Sequence, residues 1–153
     1  MRGLNEAIGK EGEKRIKEYL TELGAEVEMN PNNNGHPDLT FKYTGLKFLI
    51  ECKSLQPIYN SQVGSVHLRR SEYREMNRNY DDSIKGLIVE VRPGGKGLRY
   101  YIFVPWDPVI ERYCETTPEI LSLSLHWLCK NGINLPYYFE MLELRRMIQD
   151  GIS

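Results

Sequence analysis

HPDLTFKYTGLKFLIECK, residues 36–53, is the stretch whose reading decides the rest of the chain. Phe41-Lys42-Tyr43 and Leu46-Lys47-Phe48 flank Thr44-Gly45, a small pair in which glycine takes positive φ without steric cost. Two short strands joined by a tight turn are therefore expected. With Tyr43 facing Leu46 across the turn, opposed residues have numbers summing to 89: Phe41 meets Phe48, Leu39 meets Ile50, and Asp38 meets Glu51. Leu39, Phe41, Tyr43, Leu46, Phe48 and Ile50 then share one apolar face. Asp38 and Glu51 share the other, with β-carbons about 4.5–5.5 Å apart, and Lys53 follows on the same side.

Two carboxylates that close repel each other, and a divalent cation between them removes the conflict. Mg²⁺ takes one or two carboxylates and completes its shell with water and substrate phosphate oxygens, which suits this face. Lys53 is suited to orient or deprotonate the attacking water. The plainer reading is a solvated strand face, and Lys42 opposite Lys47, another like-charge pair, speaks for it. Leu49 on the same face, and an Asp–Glu opposition that destabilises unless it has a use, speak for chemistry.

These residues resemble the PD-(D/E)XK nuclease superfamily, with its restriction-endonuclease-like fold. Pro37-Asp38 matches the PD, and Glu51-Cys52-Lys53 matches the (D/E)XK after the apolar Phe48-Leu49-Ile50. Upstream, Gly9-Lys10-Glu11-Gly12-Glu13-Lys14-Arg15-Ile16 looks like the first helix of archaeal Holliday junction resolvases, where a Gly-x-x-x-Glu segment supplies a third acidic residue. The match runs from about Gly9 to Val91. It implies an α/β (α+β) fold with a central mixed sheet flanked by helices. It further implies one nuclease domain over 1–153, with a core at about 9–105 and a C-terminal helical extension at 106–153. The catalytic set carried over is Glu13, Asp38, Glu51 and Lys53, with Mg²⁺ (or Mn²⁺) held by Asp38, Glu51, Glu13 and the backbone carbonyl of Cys52. The partner implied is DNA, branched or duplex, cut by a homodimer because a junction offers two symmetric strands. A repair, restriction-like or virus-associated nuclease uses the same residues. The rivals from other classes are a non-catalytic nucleic-acid or protein-binding module on this fold and a structural protein built on the aromatic tail.

Asn5 to Leu23 reads as an amphipathic helix through Ile8, Gly12, Ile16, Tyr19, Leu20 and Leu23, stopped by Gly24. Glu6, Glu11 and Glu13 compete there for the third acidic role. At 100° per residue Glu13 lies about 90° from the centre of the apolar stripe, Glu6 about 105° and Glu11 about 115°. Geometry thus prefers Glu13 by a small margin, and the resemblance picks the same residue.

The composition, 41% hydrophobic and 27% charged, is that of an ordinary soluble domain. Cys52, Cys114 and Cys129 are odd in number and lack metal-site spacing, which points to a reducing interior and against a disulfide framework, zinc or an iron–sulfur cluster. No apolar leader or membrane-length run is seen, so a cytoplasmic protein is expected. Net charge is −1, but unevenly spread: residues 1–64 carry 8 basic and 9 acidic groups, 65–99 carry 8 and 5, and 100–153 carry 4 and 7. The middle third holds the basic surface.

Ala25 to Met29 is expected as a strand, and the Asn-rich run from Asn30 to Pro37 as a loop containing His36, a histidine without a partner. Ser54 to Ser65 reads as irregular. Val66 to Tyr80 reads as mostly helical, placing three or four of Arg69, Arg70, Arg74 and Arg78 on one flank as candidate phosphate contacts, unless Glu72, Glu75, Asp81 and Asp82 merely neutralise them. Ile84–Arg92 and Leu98–Pro105 form a second hairpin about Pro93–Gly97. A short helix begins at Trp106. Thr116-Thr117-Pro118-Glu119 signals a helix to Lys130, closed by Gly132, and Pro136–Gln149 signals the last. The aromatic faces of these helices should mostly pack on the sheet, with the Tyr-rich stripe as a possible two-fold interface.

Overall fold

The hairpin forms in the register that its alternation dictates. In the computed structural model, which describes residues 2–30, 37–55, 64–78, 82–92, 97–116 and 119–152, β2 (Leu39–Tyr43) and β3 (Leu46–Leu55) pair antiparallel. Leu39 lies opposite Ile50, Phe41 opposite Phe48 and Tyr43 opposite Leu46. Thr44 and Gly45 have φ of 50° and 77°, the two positive values that a two-residue turn needs to match strand twist.

The sheet grows outward from this hairpin. β1 (Glu26–Met29) pairs antiparallel with β2, and β5 (Ile84–Val91) lies parallel to β3. β6 (Tyr100–Pro105) returns antiparallel along β5 as the second expected hairpin, and β8 (Ile133–Asn134) closes the edge. The order β1-β2-β3-β5-β6-β8, with β3–β5 the parallel pair, makes a mixed sheet flanked by helices, as expected.

Both faces are covered. α1 (Arg2–Glu22) and α5 (Leu135–Ile152) lie on one, where Ile16, Leu20, Phe139 and Leu142 join Leu39, Phe41, Phe48, Ile50 and Phe103. The opposite face carries a ribbon of β4 (Ser65–Arg69) and β7 (Ile120–Ser124), together with α2 (Arg70–Asn77), α3 (Trp106–Thr116) and α4 (Leu125–Asn131). Leu68, Met76, Val109, Leu123 and Leu128 there cover Leu87, Val89 and Val104. Sandwiched between, β3 is buried continuously from Phe48 to Cys52. Each such large side chain contributes about 1.5–3 kcal/mol by leaving water.

Two expected helices are wrong at their starts. The region 66–80 begins as β4, in which Val66 and Leu68 are buried while His67 and Arg69 are exposed, and turns helical only at Arg70. The region 116–130 contains β7, with Leu121 and Leu123 inward and Ile120 and Ser122 outward; its helix starts after Ser124, whose side chain caps the Trp127 N–H at 3.1 Å. In both, period-two alternation and pairing of the two segments overrode a capping signal. The C-terminal third therefore supplies strands as well as helices. Residues 31–36 with His36, 56–63, 79–81 with Tyr80 and Asp81, 93–96 and 117–118, on which parts of the expected loops, helix end, turn and cap fall, lie outside the described residues.

Candidate active site

Asp38 stands at the entrance to β2 and Glu51 opposite it in β3, and the two are interlocked. The Cys52 N–H donates to Asp38 Oδ2 at 2.8 Å, and the Asp38 N–H donates to Glu51 Oε1 at 3.2 Å. Each carboxylate is thus aimed by the backbone of the other strand. Asn30, just after β1, fixes the approach: its N–H donates to the Asp38 carbonyl and its Nδ2 to the Pro37 carbonyl, both at 3.0 Å. Glu51 is only 1% exposed and Asp38 is half-buried, so the like charges meet largely out of water.

Lys53 emerges two positions on and is ion-paired with Glu72 of α2. Both side chains are mostly covered, at 19% and 13% exposure, which makes the contact stronger than a surface pair. Sequence reading took Glu72 for a surface neutraliser of the arginines. No local signal marks it, because only packing of α2 through Met76 brings it across 19 positions to the strand.

Glu13 approaches from the opposite face on α1. Gly12 lets that helix come close: a Cβ there would stand 2.4 Å from the Ser54 hydroxyl. One helical turn lower, Arg15 holds the fully buried Glu90 of β5 by three hydrogen bonds of 2.8–3.1 Å, and the Tyr101 hydroxyl donates to the same carboxylate at 2.9 Å. This lock fixes α1 over the sheet. The Cys52 thiol lies between these groups: burial pushes its pKa well up, the charges of Asp38, Glu51 and Glu13 push it further, and Lys53 opposes them. Glu13 is therefore electrostatically part of the cluster.

Among the described residues, no group of three or more His, Cys, Asp or Glu side chains is gathered closely enough to hold a metal together. What the fold brings together is a carboxylate pair with the Cys52 backbone beside it. These are hard oxygen donors, and a thiol kept protonated adds no soft ligand, so the donor set fits Mg²⁺ or Mn²⁺.

Arg70, Arg74 and Arg78 follow one another at four-residue spacing along one flank of α2, which Arg69 does not share. Arg69 ends β4, while Arg70 and Arg74 lie two positions either side of Glu72, about 160° around α2. The charges of Arg70 and Arg74 reach the buried Tyr113 of α3, and Arg69, Arg70 and Arg74 are all exposed. Arg78 caps the helix and pairs with Glu75 at 3.4 Å. No helix among the described residues is long and apolar enough to cross a membrane.

No protein-family model matches this sequence, and no curated protein does. Among solved structures, the fold resembles that of Hjc from Archaeoglobus fulgidus, a Holliday junction resolvase from an archaeal hyperthermophile, at 13% identity and a TM-score of 0.62. The likeness covers 86% of this chain and 95% of that one, and what it shows is a shared fold: a mixed sheet between helical layers.

Proposed function

We propose that this chain is a PD-(D/E)XK-type endonuclease that hydrolyses DNA phosphodiesters with Mg²⁺ or Mn²⁺, acting on branched DNA in the manner of a junction resolvase. The observation that carries the reading is the interlocked Asp38–Glu51 pair with Lys53 on the same sheet face, on the fold shared with Hjc. Asp38, Glu51 and the Cys52 carbonyl hold the ion, and Glu13 adds the third negative charge from α1. A divalent ion bound there supplies Lewis-acid polarisation of the phosphoryl oxygen and a more acidic attacking water. Lys53 places its charge beside the reacting phosphate, held on station by Glu72. Arg69, Arg70, Arg74 and Arg78 contribute phosphate contacts away from the reacting centre, giving affinity that weakens steeply with salt.

The test is a cleavage panel of single-stranded, duplex, flapped and four-way junction DNA at low salt, with Mg²⁺, Mn²⁺ or chelator, comparing wild type with Asp38→Ala. Metal-dependent cutting of the junction, abolished in Asp38→Ala, is the expected result. Junction binding without cleavage in any metal would instead make the chain a binding module on this fold.

A further inference from the structure

The pairing of β4 with β7 gives the ribbon two unlike faces. Val66, Leu68, Leu121 and Leu123 turn to the sheet and are buried, so by alternation Ser65, His67 and Arg69 share the outer face with Ile120, Ser122 and Ser124. His67, Arg69, Ile120 and Ser122 are exposed. No acidic side chain stands on this face, although the whole chain has 21 acidic residues to 20 basic; Glu119, just before β7, acts instead on Tyr113 of α3. His67 Nδ1 and the Ser122 hydroxyl share a hydrogen bond of 2.9 Å across the strands, which ties the two side chains together and leaves the ring's Nε2 without a partner among the described residues. Ile120, 51% exposed, is an apolar side chain set among hydrogen-bonding ones.

Placement and charge name the occupant. Arg69 ends β4 and runs directly into α2, so it lies within one helical turn of Glu72, which holds Lys53. The ribbon's other end rests on the same strand: a Cβ at Gly64 would stand 2.8 Å from Leu55, two positions past Lys53. Between these anchors the outer face runs for five residues, about 14 Å. A two-stranded ribbon is one of the elements that the major groove of DNA, roughly 12 Å wide, admits; serine there contacts base edges of either kind, and an apolar side chain meets the thymine methyl. A histidine ring nitrogen donates or accepts at the same edges. A face without carboxylates approaches a phosphate backbone without repulsion, and Arg69 at its margin offers that backbone a guanidinium. We propose that the outer face of β4–β7 enters the major groove of the duplex arm beside the cut and reads a short run of its bases, His67, Ser122 and Ile120 meeting base edges while Arg69 holds the flanking phosphate. This rests on the reading of the chain as acting on branched DNA, and adds to it a preference for sequence, whereas the carboxylate pair and Lys53 respond to any phosphodiester alike.

Binding without cleavage tests it. The full chain is mixed, in chelator and again with Ca²⁺, with four-way junctions whose arms carry randomised base pairs, and the bound fraction is sequenced. Wild type is expected to enrich a run of about four base pairs in one arm, the number that about 14 Å of groove holds at about 3.4 Å per pair. His67→Ala/Ser122→Ala/Ile120→Ala, at three exposed positions, is expected to keep the wild-type circular dichroism spectrum, to bind junctions of every sequence, and to lose the enrichment, with affinity for the preferred arm falling about tenfold or more. Arg69→Ala should instead weaken binding to all arms alike and lower the salt slope by about one. No enrichment by wild type, or enrichment that survives the triple substitution, would overturn the proposal. A wild type that binds no DNA overturns it together with the proposed function, whereas enrichment with no cleavage in any metal removes only the nuclease activity and leaves the ribbon's role standing.

Discussion

Glu72 of α2 grips the ammonium of Lys53, so the lysine proposed to meet the phosphate is positioned by a residue from another element. Under the proposed chemistry, Lys53→Met lowers cleavage by about 10²–10⁴-fold, the usual worth of a positioned proton-transfer or charge-bearing group. Glu72→Gln keeps the hydrogen-bonding shape but not the charge, and is expected to lower kcat about tenfold with DNA affinity unchanged. Single-turnover cleavage beside a binding titration separates the two effects, and faster cleavage by Glu72→Gln would mark the contact as a brake.

Two like charges interlocked out of water cost stability that an ion would return. Glu51→Gln, which still accepts the Asp38 N–H, is therefore expected to melt higher than wild type in chelator, by about 1 kcal/mol. Adding Mg²⁺ at a hundred times its Kd should stabilise wild type by about 2.7 kcal/mol and leave Glu51→Gln unmoved. Thermal melts with and without metal read both.

Removing Arg15 strands a carboxylate that is 0% exposed. Arg15→Ala is expected to destabilise the fold by about 3–5 kcal/mol, the cost of leaving a buried charge without its partner. Urea unfolding measures it. Arg15→Lys, which cannot reproduce the forked contact, should recover only part of the loss.

Alkaline pH should loosen the same lock. Burial, then the hydrogen bond to Glu90 and its charge, raise the Tyr101 hydroxyl above the ordinary tyrosine value of 10.0. A group with a raised folded-state pKa gives its full contribution below the unfolded value and loses it as pH rises through the folded one. Stability should therefore hold to about pH 10 and fall beyond it. Tyr101→Phe, weaker at neutral pH by about 1 kcal/mol, should show a shallower alkaline decline in urea midpoints.

Alternation over residues 39–50 was enough to place the hairpin, its register and the Asp38–Glu51 meeting, because a two-residue turn leaves one way to bury Leu39, Phe41, Phe48 and Ile50 together. Even there Thr44 is a β-branched residue at positive φ, which turn statistics alone would not choose. The misplaced helices over 66–80 and 116–130 had a visible cue, VHLR and ILSLS, but each strand has meaning only through the other, 55 positions away at His67 and Ser122. The Glu72 contact and the Arg15–Glu90–Tyr101 lock were not legible, since single charged residues on separate elements carry no mark of their partners. The stripe on α5 was visible as periodicity, yet periodicity cannot say whether a face meets the sheet or the solvent. Tyr138 turned inward to stack on Phe103, and Tyr137 did not.

The interlocked acids lie 13 positions apart on one ribbon, while the tie that seats α1 spans 75. Hairpins close in about 1–10 μs, and short loops lose little entropy in closing. The electrostatic burden of the site is therefore local to the hairpin, and closing that one ribbon is enough to create it. The stacked Phe41 and Phe48 rings, 4.3 Å apart on the reverse side of the same ribbon, are the equally local contact that offsets it.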